Sequence, residues 1–84
     1  MQDLNKIYFN KREYKKHDAY FFYHREGVVI PECVEKWLDK SQYELVRAYK
    51  MEDKGTEYMD YRTVAWFDTF QDAFSFIKGA YSNV

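Results

Sequence analysis

Cys33, His17 and His24 are the residues best suited to nucleophilic chemistry in this chain, because a cysteine needs a nearby base to become a thiolate and these are its only imidazoles. Cys33 falls beside Val34, Trp37 and Leu38 on what local spacing makes an apolar stripe, so it is expected to pack as a small hydrophobe. The same three residues are too few and too scattered for a tetrahedral zinc site, which takes four ligands at close spacing. Gly27, Gly55 and Gly79 are isolated, and each has a turn or helix-end explanation, so no loop is expected to cradle phosphate. Asp and Glu number 14, but nothing selects one pair for acid–base work, and a solvated face accounts for them. The expectation is a protein that is not an enzyme and takes no metal or cofactor.

Binding is the better-equipped alternative. The 84 residues include nine Tyr, seven Phe and two Trp, types enriched in interface cores because rigid rings give large contact area at little entropic cost. Nine tyrosines are more than a small core can bury with satisfied hydroxyls, so some must reach water or a partner. Tyr49, Tyr58, Trp66 and Phe76 are the candidate anchors for a protein partner, with Arg47 and Arg62 as polar clamps. A rival use is single-stranded nucleic acid: Lys11, Arg12, Lys15 and Lys16 on phosphates, with Tyr20 and Phe22 stacking on bases. Against it, the net charge is −1 and the Lys/Arg-Gly-aromatic pattern of the RNA-recognition motif is absent. A third use is a homodimer in which an exposed sheet face or edge pairs with itself.

The elements that must carry these residues follow from periodicity. "IYF" at 7–9 predicts a short strand before a basic loop, although a helix from Asp3 would gather Leu4, Ile7, Tyr8 and Tyr14. Ala19–Tyr23 and Val28–Ile30 read as a hairpin turning over His24–Gly27. Pro31 then suits a helix N-terminus, and "PECVEKWLDK" has amphipathic helical spacing. Residues 43–51 and 58–67 alternate as strands around Gly55. A five-residue loop there would set Met51 opposite Met59, Tyr49 opposite Tyr61 and Lys50 opposite Asp60. Pairing one residue shorter would put Arg47 against Arg62, so the first register is expected. In "FDTFQDAFSFIKGAY", Thr69 or Asp68 can cap a helix whose stripe is Phe70, Ala73, Phe74, Ile77 and Tyr81, with Phe76 off to one side and Gly79 at its end.

The whole predicts one α+β domain over residues 1–84: an antiparallel sheet of four to five strands with two helices on one face, in the order (β)ββαββα. Its uncovered face is where function is expected. Charge is uneven, with Lys6, Lys11, Arg12, Lys15, Lys16 and Arg25 giving the first 25 residues a basic balance and the remainder an acidic one. No leader-like or membrane-spanning apolar run is found, and a lone cysteine suits a reducing compartment, so a cytoplasmic location is expected. In its small size and Tyr/Lys/Glu-rich make-up the chain resembles the accessory proteins with which phages block or redirect host machinery. That resemblance implies an inhibitor acting in the host cytoplasm by steric occlusion of a protein partner.

Overall fold

The computed structural model describes residues 6–24 and 27–81. Strands β1 (Ile7–Glu13), β2 (His17–His24), β3 (Val29–Trp37), β4 (Tyr43–Asp53) and β5 (Thr56–Phe67) precede one helix, α1 (Phe70–Tyr81). All four strand pairs are antiparallel and join neighbours in sequence, so the sheet is a meander in the order β1-β2-β3-β4-β5.

Alternation along the strands gives the sheet one covered and one open face. Tyr20 pairs with Val34, Val34 with Leu45, and Leu45 with Ala65, and Phe9 pairs with Phe22 one rung along, so a band of apolar side chains crosses the sheet under the helix. Phe22, Val34 and Leu45 with Ile7, Ile30, Ala73 and Ile77 make the core, against which Tyr20 and Ala65 pack, and Val34 and Leu45 are 0% exposed. α1 begins where the Thr69 hydroxyl accepts the Asp72 N–H at 3.1 Å, satisfying one of the donors that a helix start leaves unpaired. Its stripe then meets the sheet as its spacing predicts. Phe70 lies 4.4 Å from the Tyr20 ring and 5.0 Å from Phe9, and Phe74 lies 5.6 Å from Phe22. Aromatic pairs at such distances contribute about 0.5–1.5 kcal/mol each beyond their buried area.

Three expectations are corrected. The segment predicted as a first helix is strand β3, so the described residues hold one helix and the order is βββββα. Residues 32–37 also alternate, with Glu32, Val34 and Lys36 on the covered side and Cys33, Glu35 and Trp37 on the other. The strand wins because it pairs with both β2 and β4 and buries Val34 completely, where a helix would leave two edges open. Pro31 is tolerated because the β2–β3 register slips between Phe21 and Tyr23, and β4 pairing begins only at Glu32, so no ladder bond needs its missing N–H.

The β4–β5 register is the second correction. At the base of the hairpin Tyr43 opposes Phe67 and Leu45 opposes Ala65, in the predicted phase, but a bulge that leaves Val64 without an opposite number shifts everything beyond it by one. Tyr49 therefore meets Asp60, Met51 meets Tyr58, and Arg47 meets Arg62. The loop shrinks to Lys54 and Gly55, both at positive φ (52° and 80°), the two-residue geometry whose twist matches the flanking strands. Third, α1 continues through Gly79 to Tyr81.

Other expectations are met, altered in extent or only partly described. β1 takes in Asn10–Glu13, so the basic loop reduces to residues 14–16. Gly27 has φ 83° and its N–H donates to the His24 carbonyl at 2.9 Å, as the predicted turn needs. Arg25 and Glu26 of that turn, and Asp3 and Leu4 of the alternative N-terminal helix, lie outside the described residues.

Candidate functional site

The face of the sheet opposite α1 has no element of the described chain packed on it. At its centre is a shallow concavity of 320 Å³ lined by Tyr14, His17, Ala19, Phe21, Cys33, Glu35, Val46 and Tyr61. Small side chains make its floor: Ala19 and Val46 are buried, and Cys33 between them is half-buried. Larger rings make its rim. Phe21 sits opposite Cys33 across β2 and β3, and Tyr61, 64% exposed, sits opposite Ala48 on β4. Tyr14, His17 and Trp37 form a stack at one end, with centroids 4.9 Å and 4.3 Å apart. Met59 and Trp66 extend the exposed apolar surface along β5.

Two carboxylates colour this face. Glu35 and Glu44 stand directly opposite each other across β3 and β4, an arrangement that repels unless each has a partner. Glu35 lies 3.6 Å from His17 Nε2, and the Thr63 hydroxyl donates to Glu44. Burial, and then the charges of Glu35, Glu44 and Glu32, push the Cys33 thiol up from 9.0 to about 11. At neutral pH it is a protonated thiol and a poor nucleophile. Among the described residues no three His, Cys, Asp or Glu side chains converge as metal ligands would.

The predicted protein-binding residues divide between surfaces. Trp66 lies on the open face, with Lys40 Nζ 5.1 Å from its ring. Arg47, Tyr49, Tyr58 and Arg62 lie on the other side of the β4–β5 arm, the side that α1 covers nearer the base. There the Tyr49 ring has the Arg47 and Arg62 guanidinium carbons at 5.4 Å and 5.1 Å. Phe76 projects from α1, 48% exposed, and touches Phe67. The six do not form one patch. Of the predicted nucleic-acid residues, Phe22 is 1% exposed beneath the helix and Tyr20 packs on Phe70, so neither offers a free ring face. Lys11 pairs with Glu13 and Asp18 on the covered side, Arg12 is on the open side, and Lys15 and Lys16 are exposed in the loop.

The open-face residues that sequence reasoning missed are Tyr14, Phe21, Cys33 and Tyr61. The alternation of Cys33, Glu35 and Trp37 was the available signal for the first three, since it makes β3 a central strand and fixes which side of β2 looks outward.

A further buried group lies on the covered side. Glu32, 8% exposed, accepts from Arg47 Nη1 at 2.9 Å and from the Tyr81 hydroxyl, tying the end of α1 to the middle of the sheet. Burial, and then the bond to Glu32 and its charge, push the Tyr81 hydroxyl up from 10.0 to about 12. None of the described helices is long and apolar enough to cross a membrane. No protein-family model, curated protein or solved structure matches this chain.

Proposed function

We propose that the chain is a non-enzymatic protein-binding module whose contact surface is the open face of the sheet. A sheet covered on one side ordinarily shows polar groups on the other. Here the uncovered side carries Phe21, Tyr61, Met59 and Trp66 around a buried apolar floor, and that observation carries the proposal. Contiguous exposed apolar surface of this kind marks interaction sites. Tyr61 and Trp66 are the anchors, with Glu35 and Glu44 fixing orientation. The module would act by covering a surface of its partner, as an inhibitor does by steric occlusion.

The test is retention from a nuclease-treated cell lysate by immobilised wild type, Tyr61→Ser and Trp66→Ala, each first shown to be folded by circular dichroism. A protein held in stoichiometric amount by wild type and lost by both variants supports the reading. A protein held equally by all three places the contact elsewhere and overturns it.

A second reading has one observation in its favour. Lys15 and Lys16 adjoin the Tyr14–His17–Trp37 stack, a cationic loop beside an aromatic platform, as single-strand binders use. It requires affinity for oligonucleotides that falls steeply with salt.

A further inference from the structure

The sheet has two edges, and they are not alike. β1 carries Lys11 and Arg12, charges of the kind that keep an edge from pairing. β5 has 12 residues, nine of them exposed, with neither lysine nor proline. Its backbone groups that have no partner among the described residues can be assigned. The two-residue loop makes Asp53 and Thr56 a hydrogen-bonded pair. Alternation then turns the N–H and C=O of Tyr58, Asp60 and Arg62 toward β4, and those of Glu57, Met59, Tyr61 and Thr63 outward.

We propose that two copies of this chain pair antiparallel through these outward groups of β5, with the two-fold axis at Tyr61, joining their sheets into one. Charge selects both the occupant and the register. Centred on Tyr61, Asp60 of each copy stands opposite Arg62 of the other, two opposite-charge pairs on the same side of the sheet. Centring on Asp60 or on Arg62 sets like charges against each other, and centring on Met59 leaves both facing uncharged residues. The Tyr61 register also matches outward-pointing residues, Met59 with Thr63 and Tyr61 with itself. Arg62 already bonds Asp60 of its own chain through Nε at 2.9 Å, and a guanidinium has further N–H donors for a second carboxylate. The seam places the exposed Tyr61 rings of both copies side by side on the open face, so the two concavities adjoin.

The test is sedimentation of the full chain from low to high micromolar concentration, for wild type, Asp60→Arg, Arg62→Asp and an equal mixture of the two variants. The wild type is expected to dimerise. Each variant alone opposes like charges and is expected to weaken the dimer at least about tenfold in Kd. The mixture restores opposite charges at both pairs and is expected to recover it. Circular dichroism verifies folding. Should either variant be unfolded, amide exchange on the wild type decides instead: Met59, Tyr61 and Thr63 must become more protected as concentration rises. A wild type monomeric throughout, a dimer indifferent to both reversals, a mixture that fails to recover, or exchange independent of concentration each overturns the proposal.

Discussion

Arg47 and Arg62 stand directly opposite each other across β4 and β5, with the Tyr49 ring within 5.4 Å of one guanidinium carbon and 5.1 Å of the other. Facing like charges ordinarily cost stability. Here each has its own carboxylate, Glu32 for Arg47 and Asp60 for Arg62, both at 2.9 Å, and the ring's electron-rich face attracts both cations. Replacing Tyr49 by Leu keeps the bulk and removes that attraction. It is expected to destabilise the domain by about 1 kcal/mol in urea unfolding. The deficit should grow as salt is lowered, since the repulsion is then less screened. A variant equal to wild type at low salt would show that the ring plays no such part.

Glu32 is the costliest group to strand. Arg47→Met leaves a nearly buried carboxylate without its cation and is expected to cost about 3–5 kcal/mol, against about 1–3 for Tyr81→Phe, which removes one hydrogen bond.

The Tyr81 proton gives a pH signature as well. Its folded-state pKa is raised, from 10.0 to about 12, so its contribution to stability is complete below pH 10 and is lost as pH rises toward 12. Urea midpoints of wild type and Tyr81→Phe should therefore converge over that window. A constant difference would contradict the linkage.

Cys33 should be unreactive for its type. With its thiol pushed up from 9.0 to about 11, the thiolate fraction near pH 8 is lower by about two orders of magnitude than in an open peptide, and so is the expected rate of alkylation by iodoacetamide. Mass spectrometry of a time course measures it. A rate matching that of a cysteine peptide would refute both the burial and the acidic surroundings assigned to this side chain.

Lys54 holds φ 52° in a turn that favours Asn followed by Gly. Lys54→Asn is expected to raise stability by about 0.5–1 kcal/mol. Gly55→Ala, at φ 80° and with open space around it, should lower stability by about 1 kcal/mol through backbone strain alone.

Phe70 and Phe76, six residues apart in α1, should respond to very different degrees. Phe70 touches Phe9, Tyr20, Phe22, Tyr43 and Phe74, so Phe70→Ala is expected to cost about 3–5 kcal/mol. Phe76→Ala is expected to cost under about 1 kcal/mol, since that ring is half exposed beside Phe67. Thermal melts of the two variants separate a ring that fills the core from one that rests on its margin.

These contrasts also show where sequence was sufficient. The α1 stripe, the Thr69 cap and the β2–β3 hairpin were legible because each depends on residues within one or two turns of chain. Segment 32–37 was not, because its side chains satisfy both periods and the choice rests on β2 and β4, neighbours that local spacing does not contain. The β4–β5 register was legible at Tyr43 and Leu45 and lost beyond them. A bulge adds no conspicuous residue type, and Val64 looks like any strand valine. The candidate surface inherited both errors. Trp66 was placed among residues that the shifted phase carries to the other side, and Tyr61 was assigned to the row it leaves.

Val64 has a consequence for how this chain can change. Because it sits between the base of the hairpin and its arm, it works as a parity element: on one side of it even-numbered β5 residues look outward from the helix, and on the other side odd-numbered ones do. Deleting that one residue would join Thr63 to Ala65 with the pairings from Thr63 to Thr56 unchanged, so Leu45, Ala65, the core beneath them and the outward side of the arm would all stay in place. Flattening the bulge with Val64 retained would instead slide the arm by one residue and exchange its two sets of side chains wholesale, trading Tyr61 and Met59 for Tyr58 and Asp60 on the binding side.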